Sequence, residues 1–146
     1  MTEVTELPRP IDVLPHRDPF LLVSEVTELA PGQRCAARWR LTGDEAFWAG
    51  HFPGRPTLPG VLMVESLAQV GAIALLTDER FAGKLPLFGG IDKARFRRQV
   101  VPGEVLDLEV TLDQLSGMAG KGRGVATVDG QKACSVDLLF VLARSG

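Results

Sequence analysis

His51 lies in the run Gly50-His51-Phe52-Pro53-Gly54-Arg55-Pro56-Thr57-Leu58-Pro59-Gly60-Val61, and a lone carboxylate, Glu65, interrupts the apolar stretch that follows. Imidazole titrates near neutrality and can take a proton from carbon or oxygen. The prolines and glycines around His51 fix the loop that presents it. A carboxylate among apolar residues is costly to keep charged, so burial favours the neutral acid, which can protonate a leaving group. Gly60 opens the helix that carries Glu65. The first N–H groups of a helix have no internal partners and sit at the positive end of its dipole. Without a side chain, Gly60 lets a substrate carbonyl approach the N–H groups of Gly60 and Val61, as an oxyanion site requires. A base, an acid and a backbone donor pair therefore occur in one short stretch, the equipment of general acid–base catalysis.

Each feature also has a plainer reading. Glu65 can face water on a partly exposed stripe with Ser66 and Gln69, His51 can satisfy backbone groups in a turn, and Gly60 can be a simple helix start. Gln69, four residues beyond Glu65 on the same helix face, can hold the carboxyl by a hydrogen bond. The other histidine, His16, sits in Leu14-Pro15-His16-Arg17-Asp18-Pro19-Phe20 with nothing nearby that needs a base, and is expected to be structural. Lys93, Arg95, Arg97 and Arg98 form a basic cluster. Lys93, Arg95 and Arg97 alternate with Ala94 and Phe96, so they are expected to share one strand face. That face is either solvated or a dock for a phosphate or an acidic partner. Residues 117–124 are glycine-rich and contain Lys121 and Arg123, but lack the ending of a phosphate loop, so they are expected to be a mobile turn.

The elements that must position these groups follow from pattern. Residues 20–30 and 33–41 read as strands joined at Pro31-Gly32. Residues 44–48 read as a short helical turn, and 50–59 as a rigid irregular loop. A helix is expected from Gly60 to about Thr77 or Arg80, with Thr57 or a neighbour as its cap. Apolar residues occur nearly all round it, so other structure must enclose it. Strands are expected over 86–99, 104–115, 121–129 and 131–142, with Pro102-Gly103 and Asp129-Gly130 as turns. Two strands, a buried helix and four strands make an α+β fold in which one antiparallel sheet wraps one long central helix. Such a sheet has open edges, and pairing into a dimer covers one of them.

The chain has 146 residues, 45% hydrophobic and 23% charged, enough for one ordinary domain. Residues 1–10 are expected to be a flexible leader and 11–146 a single domain. A net charge of -2 argues against general nucleic-acid binding. Cys35 and Cys134 are in no metal or redox spacing, and buried free thiols are the main expectation, with a single disulfide between them as the minor one. No basic segment followed by an apolar core opens the chain, so no signal peptide is expected. The apolar run 61–76 is too short and too interrupted to span a membrane. A cytoplasmic protein without membrane contact is the default.

Three stretches together bring out a resemblance. The first is Leu14-Pro15-His16-Arg17-Asp18-Pro19-Phe20-Leu21-Leu22-Val23. The second is Gly50-His51-Phe52-Pro53-Gly54 with Pro59-Gly60-Val61-Leu62 and Glu65-Ser66-Leu67-Ala68-Gln69. The third is Ile91-Asp92-Lys93-Ala94-Arg95-Phe96-Arg97-Arg98 with Val101-Pro102-Gly103. In this order they resemble the signatures of the 3-hydroxyacyl-acyl-carrier-protein dehydratases of the FabZ type, which have a hot-dog fold. The resemblance implies reversible loss of water from a 3-hydroxyacyl thioester to give a trans-2-enoyl thioester in fatty acid or related polyketide or lipid biosynthesis. It implies His51 as base, Glu65 as acid, Gly60 and Val61 as backbone donors, and Gln69 and Phe52 in support.

It implies further a homodimer, often a trimer of dimers (a homohexamer), in which His51 and Glu65 of different subunits meet. Acyl carrier protein is the implied partner. No metal or redox cofactor is implied, the substrate riding on phosphopantetheine. The basic cluster then becomes a dock for the carrier protein. Relatives that also isomerise the double bond tend to have aspartate at the position of Glu65 and cysteine at that of Val61. Two departures stand out. Leu87 replaces the tyrosine often found before the phenylalanine matching Phe88, and 118–124 lacks the usual aromatic. The rival readings are a hot-dog acyl thioesterase and a non-catalytic acyl or carrier-protein binding subunit of a heteromeric dehydratase.

Overall fold

The computed structural model describes residues 3–144. Helix α1 (Pro10–Val13) precedes strands β1 (Glu25–Ala30) and β2 (Arg34–Arg40). A 3-10 turn at Trp48–Gly50 leads to helix α2 (Gly60–Leu76), and a second 3-10 turn covers Glu79–Phe81. Strands β3 (Leu85–Phe96), β4 (Val105–Ser116), β5 (Ala119–Val128) and β6 (Gln131–Ala143) complete the chain. All six strands form one antiparallel sheet in the order β1-β2-β4-β5-β6-β3, so β1 and β3 are its edges. This is the expected hot-dog arrangement of one helix in one wrapping sheet. Among the described residues no helix is long and apolar enough to cross a membrane.

The turns form where residue chemistry demands them. Gly32 has φ 75°, closing the β1–β2 hairpin, and Asp129 and Gly130 have φ 48° and 79°, as a two-residue hairpin loop requires. Thirteen of the seventeen residues of α2 are buried. The exceptions are Gly60, Val61, Leu62 and Glu65. Val61, Leu62 and Glu65 are spaced i, i+1, i+4, so the helix has one uncovered stripe, at its start. Its C-terminus falls at Leu76, where the Thr77 hydroxyl donates back to Ile73 O at 2.7 Å. The expected side-chain cap at the start is absent: Pro59 is the capping residue and makes no side-chain cap bond.

Two expectations need correction. Residues 20–22 are not strand, because their backbone groups are taken by α2 side chains. Leu22 N donates to Gln69 Oε1 (2.8 Å), Ser66 Oγ donates to Leu22 O (2.8 Å), and Gln69 Nε2 donates to Phe20 O (2.9 Å). The glycine-rich segment is not a mobile turn either, because most of it is β5. Gly120, Gly122 and Gly124 alternate with exposed residues and form the inner face of that strand. A Cβ on Gly124 would lie 3.3 Å from Leu67 of α2, and one on Gly120 would lie 2.8 Å from Leu115. The helix sits close to the sheet because the strand has no side chains there. The last two residues of the expected domain, and Met1 and Thr2 of the expected leader, lie outside the described residues. Within that leader Val4 N donates to Leu29 O at 2.9 Å and Pro10 is buried. Cys35 and Cys134 are buried free thiols, pushed up to about 12 and about 11 by that burial.

Gly71 makes the tightest contact between helix and sheet. A Cβ there would lie 2.4 Å from Phe140 Cζ and 3.2 Å from Val110 Cγ1. Alanine gains about 1 kcal/mol of helix propensity, but overpacking a core costs about 1–3 kcal/mol. Phe140 is buried, so its ring has little room to yield. Gly71→Ala is therefore expected to lower the melting temperature by about 3–6 °C. A melting temperature at or above that of the parent, measured by calorimetry, would show that the ring does yield.

Candidate active site

His51 closes the 3-10 turn that Trp48 begins, its N–H donating to Trp48 O at 3.3 Å. Trp48 is buried, and its Nε1 donates to Glu45 Oε1 at 2.7 Å, so the turn is anchored to the core. Two bonds tie His51 to Thr57. Thr57 N donates to His51 O (2.8 Å), and His51 Nδ1 lies 2.7 Å from Thr57 O. A carbonyl oxygen only accepts, so Nδ1 carries the proton and Nε2 keeps its lone pair. In this tautomer the imidazole can act as a base through Nε2. Phe52 stacks on the imidazole with ring centroids 4.1 Å apart. Leu58 N donates to Val100 O at 2.8 Å, fixing the far end of the loop.

The helix start lies beside this imidazole. His51, Gly60, Val61, Phe96, Arg97 and Arg98 are among the residues lining one cavity of about 540 Å³. Leu62 N is used by Pro59 O at 3.0 Å. Gly60 and Val61 precede it, and their N–H groups have no acceptor within the helix. They are the donors that the uncapped helix start offers to an oxyanion. Glycine at position 60 also lets the Phe96 ring approach, since a Cβ there would lie 2.8 Å from Phe96 Cε1.

Glu65 lines a different cavity, of about 360 Å³, with His16, Phe20, Gln69, Leu87, Phe88 and Phe140 among its walls. No residue lines both cavities. Gln69 Nε2 donates to Glu65 Oε2 at 3.0 Å, and Gln69 itself is 1% exposed. Ser66 is also buried, so these two do not form a water-facing stripe with Glu65. The Glu65 side chain is 19% exposed, in walls that are mainly apolar. Leu87, at the position of the missing tyrosine, is on this wall.

His16 was not expected here. Its Nε2 is 3.6 Å from Glu65 Oε2. Burial holds its imidazole below the ordinary histidine range, against the opposing pull of the Glu65 carboxylate. Its proline-bounded position gave a fixed loop, but the meeting with Glu65 is a tertiary contact that spacing does not reveal. The Thr57 carbonyl was missed as well, because a backbone acceptor leaves no trace in side-chain types. The basic cluster does not share one face. A register shift lies between Asp92 and Arg95, where Lys93 has φ 51°, and β3 ends at Phe96, so Arg97 lies past the strand. Lys93 and Arg95 border a groove with Arg123 and Asp137, whereas Arg97 and Arg98 border the His51 cavity. Arg98 is paired with Glu104 at 2.9 Å.

Comparison with known proteins fits this geometry. A family model described as the FabA-like domain matches residues 14–137. The chain is 58% identical over 130 residues to the 3-hydroxyacyl-[acyl-carrier-protein] dehydratase FabZ of Oenococcus oeni, covering 89% of this chain and 94% of that one. The chain belongs to the FabA-like family, among its FabZ-type dehydratases. The FabZ of Staphylococcus aureus is 53% identical over 130 residues, covering 89% of each chain. The FabZ of Clostridium novyi is 51% identical over 133 residues, covering 91% of this chain and 94% of that one. Among solved structures, a chain of the dehydratase heterocomplex ApeI:P from Xenorhabdus doucetiae superposes with a TM-score of 0.82, covering 96% of this chain and 94% of that one. At 18% identity that likeness speaks for the fold alone. The FabZ-type chain thus carries His51 and the start of α2 in one cavity and Glu65 in another.

Proposed function

We propose that this FabZ-type chain removes water reversibly from 3-hydroxyacyl thioesters borne on acyl carrier protein, in fatty acid biosynthesis, with His51 as base and Glu65 as acid. The observation that carries the roles is the His51–Thr57 contact of 2.7 Å, which leaves Nε2 as the free base beside the start of α2. His51 Nε2 takes a proton from C2 of the substrate. The electron pair moves toward the thioester carbonyl, whose oxygen accepts hydrogen bonds from Gly60 and Val61 N–H. The pair then forms the C2–C3 double bond as the C3–O bond breaks, and Glu65 protonates the departing hydroxide to give water. One proton is taken and one given, so the enzyme returns to its starting state by exchange with solvent. No electrons are gained or lost, so the step needs no redox group.

The site is proposed to be completed by a second copy of the chain. On edge strand β3, Phe88, Ile91 and Phe96 lie opposite the buried Phe140, Leu138 and Cys134, so they point to the core face. They are nevertheless 41%, 52% and 51% exposed, because α2 packs chiefly on β4 and β2 and only lightly on β3. Val61 and Phe52 are exposed as well, at 73% and 53%. An edge strand with an uncovered apolar face beside the uncovered stripe of α2 fits a two-fold partner. Pairing there would carry the partner's α2 toward the His51 cavity. Arg97, exposed and on that cavity, is the best placed of the basic cluster for the carrier's pantetheine phosphate. Glu65 and Val61 support dehydration without double-bond isomerisation.

The test is turnover of 3-hydroxyacyl-carrier-protein substrates of several chain lengths, resolving products. The expected product is the trans-2-enoyl thioester, without free thiol and without the 3-enoyl isomer. Free thiol without enoyl product would move the chain to the thioesterases.

A further inference from the structure

The segment containing His16 is held against α2 without help from the imidazole. Leu14 and Leu22 are buried, Arg17 Nη1 donates to Leu14 O (2.8 Å) and to His16 O (2.7 Å), and Gln69 and Ser66 bind the backbone of residues 20–22. The ring itself does nothing for that backbone. Its Nδ1 is buried with no hydrogen-bond partner. Among the described residues its recorded polar contact is Glu65, through Nε2 at 3.6 Å. A half-buried imidazole with one unpartnered nitrogen is unfavourable for stability, and leucine or phenylalanine would fill the same apolar wall without that cost. A purely structural role does not explain why a histidine stands here.

The tautomer follows from the surroundings. A buried N–H without an acceptor is worse than a buried lone pair, and the accepting carboxyl oxygen Glu65 Oε2 faces Nε2, so the proton belongs on Nε2. Burial disfavours a second proton on the ring, against the opposing charge of Glu65. His16 is then a neutral donor aimed at the same carboxyl oxygen that Gln69 already binds. The two together leave Oε1 as the oxygen free for substrate. The 3.6 Å separation is longer than a hydrogen bond, and such contacts commonly tighten only in the substrate complex.

We propose that His16 is a positioning residue for Glu65, its Nε2–H and Gln69 together clamping Oε2 so that Oε1 meets the 3-hydroxyl of the substrate. This rests on Glu65 being the acid. In the cavity of this chain His16 is the one titratable side chain besides Glu65. Glu65 Oε1 delivers the proton that turns the leaving hydroxide into water, and the clamp keeps the carboxyl from rotating away while the C3–O bond breaks.

The test compares His16→Gln with His16→Asn, each alone and in a Glu65→Gln background. The glutamine amide reaches about as far as Nε2, whereas the asparagine amide is equally polar but one methylene too short. His16→Asn is expected to lower kcat by between about tenfold and a hundredfold with KM within about twofold, the scale of a misplaced catalytic group. His16→Gln is expected to recover most of that loss, and neither change is expected to matter once Glu65 is Gln. Equal effects of Gln and Asn would overturn the proposal. So would an Asn effect that persists in the Glu65→Gln background, or loss of the fold in both variants, since His16 would then be structural. Near-parental turnover of Glu65→Gln alone would instead remove Glu65 as the acid, and that outcome is read without any His16 variant.

Discussion

His51→Ala is expected to lower kcat for dehydration by about a thousandfold, within the range that general base catalysis contributes. The carbon acid beside a thioester is weak, and the His51 cavity contains no other titratable side chain that can serve as base: its remaining charged residues, Arg97 and Arg98, are guanidinium groups that stay protonated. The loss should fall on kcat rather than KM, because the proton is in transit only in the transition state. The fold should survive. Removing the imidazole frees the Thr57 carbonyl, but Thr57 N still donates to His51 O, and Phe52 and Arg55 still exchange backbone bonds of 3.1 and 2.9 Å. Steady-state kinetics with a melting curve checks both points. Turnover within tenfold of the parent would remove His51 from the role of base.

Glu65→Gln is the second large effect, expected at about a hundredfold to a thousandfold in kcat. The amide keeps the size of the side chain, and its oxygen can still accept from Gln69 Nε2. What it lacks is an acidic proton for the leaving hydroxide. Stability should change little. The same loss is expected in the hydration direction, since by microscopic reversibility the acid of one direction is the base of the other. Near-parental rates in either direction would sink the assignment.

Much of this was legible in the sequence, and the exceptions have a common cause. The all-round apolar pattern of α2 dictated an enclosing sheet, and Pro31-Gly32 and Asp129-Gly130 marked hairpins, because those signals are local. Residues 20–22 read as strand, yet their ladder partners are the side chains of Ser66 and Gln69, which only the folded chain brings near. Gly120, Gly122 and Gly124 were legible in principle. Glycine at period two is the inner face of a strand against a close helix, but glycine richness reads equally as mobility. The shared face of Lys93, Arg95 and Arg97 failed because β3 ends at Phe96 and Arg97 borders the His51 cavity instead, and period alone does not announce where a strand stops. The link between His16 and Glu65 was invisible for the same reason as the ladder of residues 20–22: it is made in three dimensions.

The division of base and acid between two cavities is the central claim, and subunit complementation tests it. His51→Ala and Glu65→Gln proteins are mixed under conditions of subunit exchange, with native mass spectrometry confirming mixed dimers. If His51 of one copy works with Glu65 of the other, each mixed dimer regains one intact site. Random exchange makes half the dimers mixed, so activity should rise from the floor of either variant to about a quarter of the parental value. Activity that stays at that floor while mixed dimers are present would contradict the account and return both residues to a site within one chain.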